Sequence, residues 1–186
     1  MRFRPNDALL VVDIQRDFCS GGALAIAGAD EIIPTINRLI GEATAAGATV
    51  VACRDWHVEN HVSFTARGGP WPPHCVAGTQ GAELHPNLRL PWGTPMVSKG
   101  TGHDKDEYSA FEGTALLERL RRQGTRRIVI CGLALDFCVR ASALDAARAG
   151  FETHVALDAT RPVTKAAGEA AVAEMAKTGV ILDAVT

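Results

Sequence analysis

Short apolar segments alternate with longer amphipathic segments along most of the chain. The apolar segments are rich in β-branched residues and predict strands at 8–13, 48–53, 95–99, 127–132, 152–158 and 180–183. The amphipathic segments, each closed by a glycine, predict helices at 31–47, 113–124, 136–150 and 165–179. The strands lack polar alternation, as expected when helices cover both faces of a sheet. The pattern therefore predicts a three-layer α/β/α fold with a mostly parallel central sheet.

Residues 55–94 interrupt this alternation. The segment is rich in Pro, Gly, His and Trp and has little periodicity. Loops of this length inside a compact domain usually serve a function. The length of 186 residues suits one domain, which we expect to span 1–186 with this loop region as part of it.

Composition and charge narrow the classes of function. Apolar residues make up 47% of the chain, charged residues 22%, and the formal net charge is −2. Without a basic stripe, nucleic-acid binding has little support. The apolar run at 8–12 is too short for a signal peptide, and no run reaches membrane-spanning length. We therefore expect a cytoplasmic protein without membrane contact. Apolar helix faces suit packing within a subunit or between copies of the chain, so the sequence is compatible with a homo-oligomer.

Four chemically active side chains follow predicted strands. Asp13 ends the first strand, Asp55 follows the second, Lys99 ends the third, and Cys138 lies six residues past Gly132. The carboxyl ends of parallel strands meet at one sheet edge, where ligands bind. A carboxylate, an ammonium and a thiol at one edge suit a nucleophile, its base and an orienting group. The alternative is structural, since such residues also serve as caps, ion-pair partners or solvated lysines.

The segment "DWHVENH" suggests a metal site. Asp55, His57 and His61 lie within it, and His74 follows in "WPPHC". Four residues of extended strand span roughly 13 Å, too far for His57 and His61 to share one ion, so the chain must turn between them. One carboxylate and three imidazoles suit Zn(II), Fe(II), Mn(II) or Co(II). The alternative is a group of surface histidines in a polar loop.

The odd number of cysteines, five, argues against a disulfide framework. Cys53 and Cys131 lie inside apolar strands, where a thiol behaves as a small hydrophobe. Cys138 is predicted at the start of a helix with Asp136 as its N-cap, a location that lowers a thiol pKa and offers backbone N–H groups to an oxyanion. On position alone, a nucleophile and a buried packing cysteine are equally good interpretations, and Cys19 is not excluded as a nucleophile.

These segments together resemble a known family. The chain is similar to the nicotinamidase/pyrazinamidase enzymes of the isochorismatase-like cysteine hydrolases in "LLVVDIQRDFCSGGAL", "DWHVENHVSF", "WPPHCVAGTQGAELHP", "KGTGHDKDEYSAFEGT" and "VICGLALDFCVRASALDA". The first and last segments are typical of the superfamily, and the metal segments are more specific to nicotinamidases. The resemblance implies hydrolysis of nicotinamide to nicotinate and ammonia in NAD salvage, and hydrolysis of pyrazinamide.

The resemblance also implies roles for individual residues. It implies a catalytic triad of Asp13, Lys99 and Cys138, and a cis peptide between Leu133 and Ala134 that directs the N–H groups of Ala134 and Cys138 to an oxyanion. One divalent metal ion, with zinc first and iron or manganese as alternatives, would be held by Asp55, His57, His61 and His74. The small-molecule substrate would contact Phe18, Trp71, Tyr108 and Leu133. Phe137 receives no role.

Two other functions remain open at this point. The same fold and thiol would suit another small amide or a carbamoyl compound, although relatives of that kind match the triad and lack the metal loop. A non-catalytic binding module would keep the fold alone. The intact set of Asp13, Lys99 and Cys138 argues against the binding module.

Overall fold

Six strands form the central sheet of the computed structural model, which describes residues 1–185. They are β1 (Asp7–Val12), β2 (Thr49–Asp55), β3 (Met96–Lys99), β4 (Arg127–Leu133), β5 (Glu152–Arg161) and β6 (Ile181–Asp183). Their order is β3-β2-β1-β4-β5-β6, and every neighbouring pair is parallel. The predicted α/β fold is confirmed. The end of the predicted domain, Thr186, lies outside the described residues.

Helices cover both faces of the sheet because the strands are apolar on both sides. The four helices are α1 (Ile33–Ala45), α2 (Leu116–Arg122), α3 (Arg140–Arg148) and α4 (Lys165–Lys177). Leu9 and Val11 of β1 belong to the core that packs against α1. Leu10 and Val12, which point the opposite way, belong to the core under α2, α3 and α4. The three predicted layers follow from this alternation.

The sheet order determines where a ligand can bind. The chain adds β2 and β3 on one side of β1, and then β4, β5 and β6 on the other side. Loops that leave neighbouring strands in opposite directions open a crevice at the carboxyl edge of the sheet. Asp13, Asp55, Lys99 and the turn after β4 all lie at that edge. Among residues 1–185, no helix is both long enough and apolar enough to cross a bilayer.

Two differences from the predicted elements occur after β4. A π-helical turn at Leu135–Val139 precedes α3, and β5 runs on to Arg161. The register between β4 and β5 shifts after Ile130, which pairs with Val155. Gly132 pairs with Thr160, so the extra residues lie in β5. These features depend on pairing between distant segments, which local periodicity does not contain.

The expectation that Asp136 caps its own helix is wrong. Its carboxylate accepts hydrogen bonds from the backbone N–H groups of Val163, at 2.9 Å, and Thr164, at 3.4 Å. Thr164 is the N-cap of α4, and its hydroxyl accepts from Ala167 N. Asp136 therefore joins the turn that carries Cys138 to the beginning of a different helix.

Gly132 provides a test of the close contact between β1 and β4. Its φ is 115°, and a Cβ there would lie 2.0 Å from Val12 O. We expect Gly132→Ala to lower the free energy of unfolding by at least about 2 kcal/mol, from backbone strain and overlap together. Urea unfolding followed by circular dichroism measures it.

The control for Gly132 is Gly41 in α1, where an added Cβ meets no atom within 4 Å. We expect Gly41→Ala to stabilise the protein by about 0.5–1 kcal/mol, because alanine loses less backbone entropy in a helix. Equal effects of the two substitutions would contradict the contact at Gly132.

Candidate active site

Lys99 is a fully buried ammonium that contacts three reactive groups. Its Nζ lies 2.8 Å from Asp13 Oδ2, pairs closely with Asp55 Oδ1, and donates to Cys138 Sγ at 3.3 Å. Asp55 and Lys99 are direct partners in the register of β2 and β3. The parallel sheet therefore brings together the four side chains that the sequence places at strand ends.

Burial and charge determine the protonation of this cluster. Burial raises the pKa of Asp13 to about 6, and the nearby Lys99 ammonium limits the rise. Burial disfavours the charged forms of Lys99 and Asp55, but the neighbouring charges together outweigh it. Asp13 and Asp55 raise the pKa of Lys99, and Lys99 and His57 lower that of Asp55. At neutral pH, Lys99 is an ammonium, Asp55 is ionised, and Asp13 is poised to exchange a proton.

The expected low pKa of Cys138 is wrong. Burial raises the pKa of its thiol well above the usual value, and the attraction of Lys99 only partly opposes this. A carboxylate oxygen of Asp13 lies within 4.8 Å of the Cys138 sulfur, and both groups contact the Lys99 ammonium. The resting group is therefore a thiol with a carboxylate beside it to receive its proton. The position of Cys138 near a helix start does not compensate for its desolvation.

Asp55 also belongs to a group of potential metal ligands. Ligand atoms of Asp55, His57 and His74 all lie within 4.8 Å of one another. The Nδ1 atoms of His57 and His74 face the carbonyl oxygens of Gly100, at 3.0 Å, and Pro72, at 2.8 Å, so each Nδ1 must be the donor. In the neutral imidazoles each Nε2 then carries a lone pair, and the two Nε2 atoms lie 3.5 and 4.0 Å from Asp55 Oδ2. Backbone carbonyls orient metal-binding histidines in this way.

Gly100 makes room for this arrangement. Its φ is 63°, and a Cβ there would lie 2.4 Å from Cε1 of His57. Burial lowers the pKa of His74, which keeps that imidazole neutral and able to bind a cation. One carboxylate oxygen and two imidazole nitrogens, all buried, fit a borderline divalent ion such as zinc.

His61 lies beside this group but is bonded elsewhere. The backbone turns between His57 and His61, and the two rings stack with centroids 4.1 Å apart. However, His61 Nδ1 lies 2.7 Å from Ser63 Oγ, and its Nε2 lies 3.0 Å from Lys105 O. Of the four predicted ligands, the structure brings three into one cluster. His61 would have to exchange its contact with Lys105 to join them.

The turn after β4 carries Cys138 into the cleft. The peptide bond between Leu133 and Ala134 is cis. Ala134 and Cys138 both line the cleft. Leu133, expected to contact the substrate, is instead fully buried in the core beside β1 and is not among the lining residues.

The lining of the cleft combines a carboxylate, an imidazole and a thiol with apolar side chains. The cleft is lined by Asp55, His74 and Cys138 together with the predicted Phe18, Trp71 and Tyr108. The walls also include residues that the sequence reasoning missed: Leu24, Ile26, Phe137 and Val163. Phe137 packs against Trp71 with ring centroids 5.0 Å apart, and Trp71 Nε1 donates to Tyr108 Oη at 3.1 Å. The sequence signal for Phe137 was its position directly before Cys138.

Comparison with known proteins agrees with this geometry. The Isochorismatase domain family matches residues 7–185. The chain belongs to the isochorismatase family. A nicotinamidase of Acinetobacter baylyi is 41% identical in an alignment that covers 88% of this chain and 85% of that protein.

Two solved structures share the isochorismatase fold over nearly the whole chain. The pyrazinamidase of Pyrococcus horikoshii in complex with zinc has a TM-score of 0.93 and 48% identity, over 96% of this chain and 99% of that one. A protein from L. infantum in complex with nicotinate has a TM-score of 0.91 and 38% identity, over 98% of this chain and 95% of that one.

A second group of potential metal ligands is held together by hydrogen bonds. Atoms of Cys19, Asp30 and His85 lie within 4.8 Å of one another. Asn87 N donates to His85 Nδ1 at 3.2 Å, which leaves the ring proton on Nε2, 3.3 Å from Asp30 Oδ1. Ser20 donates twice to the other oxygen of Asp30. Burial raises the pKa of Cys19 to about 11. The group is complete without a cation.

The buried ion cluster predicts an unusual response to loss of Lys99. In chelator-treated protein, we expect Lys99→Met to lower the free energy of unfolding by about 3–5 kcal/mol at pH 8, because two carboxylates lose their counter-charge. Without the ammonium, the pKa values of Asp13 and Asp55 rise. Carboxyl groups with raised pKa values in the folded state lose stability as pH rises, so the deficit is smaller at pH 5.

Urea unfolding at both pH values measures this deficit. Lys165→Met is the control, because the side chain of Lys165 is 93% exposed and its removal leaves the unfolding free energy nearly unchanged. A deficit for Lys99→Met that is independent of pH would contradict the charged cluster.

Proposed function

We propose that this chain is a nicotinamidase that hydrolyses nicotinamide to nicotinate and ammonia, and also pyrazinamide, through a thioester on Cys138. The observation that carries the proposal is the contact of Lys99 with Asp13, Asp55 and Cys138 beneath an apolar, aromatic cleft. The similarity to a nicotinamidase and to a nicotinate complex supports the choice of substrate.

The first step is attack by sulfur. Asp13 removes the proton from the Cys138 thiol, and the thiolate attacks the carboxamide carbon of the substrate. Lys99 holds the ionised carboxylate and the sulfur in one position during the transfer, because its ammonium contacts both. A carboxylate whose pKa is about 6 suits this role, since it is ionised at neutral pH and still accepts a proton readily.

The tetrahedral intermediate then collapses to products. Backbone N–H groups of Ala134 and Cys138 donate to the oxyanion, a contribution of roughly 3–4 kcal/mol per donor in comparable enzymes. The proton on Asp13 passes to the leaving nitrogen, and ammonia departs. Water, deprotonated by Asp13, hydrolyses the thioester, which releases nicotinate and restores the thiol.

Asp55, His57, His74 and, after rearrangement, His61 would hold the divalent ion, with zinc as the first candidate and iron or manganese as alternatives. The chemistry such an ion supplies is an open coordination position for the pyridine nitrogen, which orients the ring. Phe18, Trp71 and Tyr108 contribute apolar and aromatic faces to the same ring. The cellular role we propose is NAD salvage in the cytoplasm. Another small amide or a carbamoyl compound is the alternative substrate.

Ammonia release tests the function directly. We expect the zinc-loaded protein to release ammonia from nicotinamide, and Cys138→Ser to reduce kcat/KM by at least about a thousandfold, because the nucleophile is replaced by a poorer one. Cys19→Ser, a buried thiol outside the cluster, serves as the control and retains activity. Undiminished release of ammonia by Cys138→Ser would exclude Cys138 as the nucleophile. If the wild type releases no ammonia from nicotinamide, the alternative substrates are favoured.

The pH dependence tests the base. Asp13 must be ionised to take the thiol proton, and its pKa is raised to about 6 by burial. At saturating metal, kcat/KM for nicotinamide should therefore fall about tenfold per pH unit below about pH 6. Circular dichroism at each pH separates this loss from unfolding. A rate that stays constant from pH 7 to pH 5 in folded protein would exclude Asp13 as the base.

A further inference from the structure

The end of β2 has backbone groups that the sheet itself does not pair. Cys53 O accepts from Asp13 N at 3.0 Å on the β1 side of the strand. Trp56 N donates to Lys99 O at 3.0 Å on the β3 side. Residues two apart along a strand share a side, so Asp55 directs its N–H and C=O toward β1. However, β1 has already ended at that level.

Asp13 is the reason that β1 ends there. It adopts a left-handed conformation with φ 51°, which turns the chain out of the sheet. The turn places the Asp13 carboxylate in the cluster with Lys99, but it also removes the strand that would have paired with Asp55. Buried backbone groups without a partner are costly, so another group must take the place of that strand.

The side-chain amide of Gln15 takes that place. Its Oε1 accepts from Asp55 N at 2.8 Å, and its Nε2 donates to Asp55 O at 2.7 Å. One side-chain amide thus forms both hydrogen bonds that a neighbouring peptide would form. The second Nε2 proton goes to Ala82 O at 2.9 Å, so the amide also binds the long loop after β2.

Gln15 is itself held rigidly. Its side chain is completely buried, and its backbone N–H donates to Asp13 O at 2.9 Å. Gln15 also forms an antiparallel bridge with Leu84. Gln15 is therefore fixed to Asp13 on one side and to Leu84 of the long loop on the other. Any tilt of its amide would move the backbone of Asp55.

We propose that Gln15 is a positioning residue that sets the affinity of the metal site by fixing the backbone of Asp55. The proposal rests on the metal set of the proposed function. Asp55 has to present one oxygen to Lys99 and the other to the side of His57 and His74. A carboxylate on a short side chain can serve both sides only if its Cα does not move, and Gln15 makes two of the bonds that hold it.

Zinc affinity of the substrate-free protein tests the proposal. Chelator-treated protein is titrated with zinc in competition with a chromophoric chelator. Gln15→Met keeps the length of the side chain and removes all three amide hydrogen bonds. We expect its zinc dissociation constant to rise about tenfold to hundredfold, the usual effect of losing a group that orients a metal ligand.

Asn37 offers a matched control. Its Nδ2 donates to Asn87 O, and its Oδ1 accepts from Arg89 N, both at 2.8 Å, so it binds a loop with the same pair of bonds away from the site. Asn37→Leu should lower the melting temperature and leave the zinc dissociation constant within about twofold of wild type. If Gln15→Met lowers only the melting temperature and binds zinc like wild type, the role of Gln15 is structural and the proposal is overturned.

A second variant covers the case in which Gln15→Met does not fold. Gln15→Glu keeps an acceptor for Asp55 N and loses the two donated bonds, so weaker zinc binding is again expected and an unchanged dissociation constant overturns the proposal. The measurement needs no substrate. Suppose that the wild type binds zinc, that the Gln15 variants bind it more weakly, and that the wild type releases no ammonia from nicotinamide. The proposed function would then be wrong, and this inference would stand. A wild type that binds no zinc would overturn this inference.

Discussion

The ammonium of Lys99, enclosed by two carboxylates and a thiol, is the interaction on which the site depends. A buried charge is tolerated only when opposite charges and hydrogen-bond partners surround it. Asp13, Asp55 and Cys138 supply these from three further strands or turns. The sheet order sets three of the strand ends side by side, so the requirement for charge balance and the requirement for a reactive cluster are met by the same topology.

The parts of this arrangement that follow from a general rule could be predicted from the sequence. Parallel strands end at one edge, so the carboxylates of Asp13 and Asp55 and the ammonium of Lys99 were expected to meet there. The distance along an extended strand required a turn between His57 and His61, and the structure contains it. In each case the prediction needed only residue spacing and the geometry of regular elements.

The parts that failed depend on partners far along the chain. A local capping rule assigned Asp136 to its own helix, whereas its carboxylate binds Val163 and Thr164. The helix-start rule predicted a low pKa for Cys138, but desolvation in the folded core is the larger effect. His61 was grouped with its sequence neighbours although Lys105 O and Ser63 Oγ occupy its nitrogens. Periodicity contains none of these pairings.

The edge position of β3, which carries Lys99, affects how the cluster of Lys99, Asp13 and Asp55 can come apart. β3 has four residues and lies at the edge of the sheet, where its one strand partner among residues 1–185 is β2. Short edge strands open at a lower free energy than the centre of a sheet. Such an opening separates Lys99 from Asp13 and Asp55 while β1, β2 and β4 remain folded. The position of Lys99 thus gives the cluster a route to loss that requires the opening of one strand and not the unfolding of the whole domain.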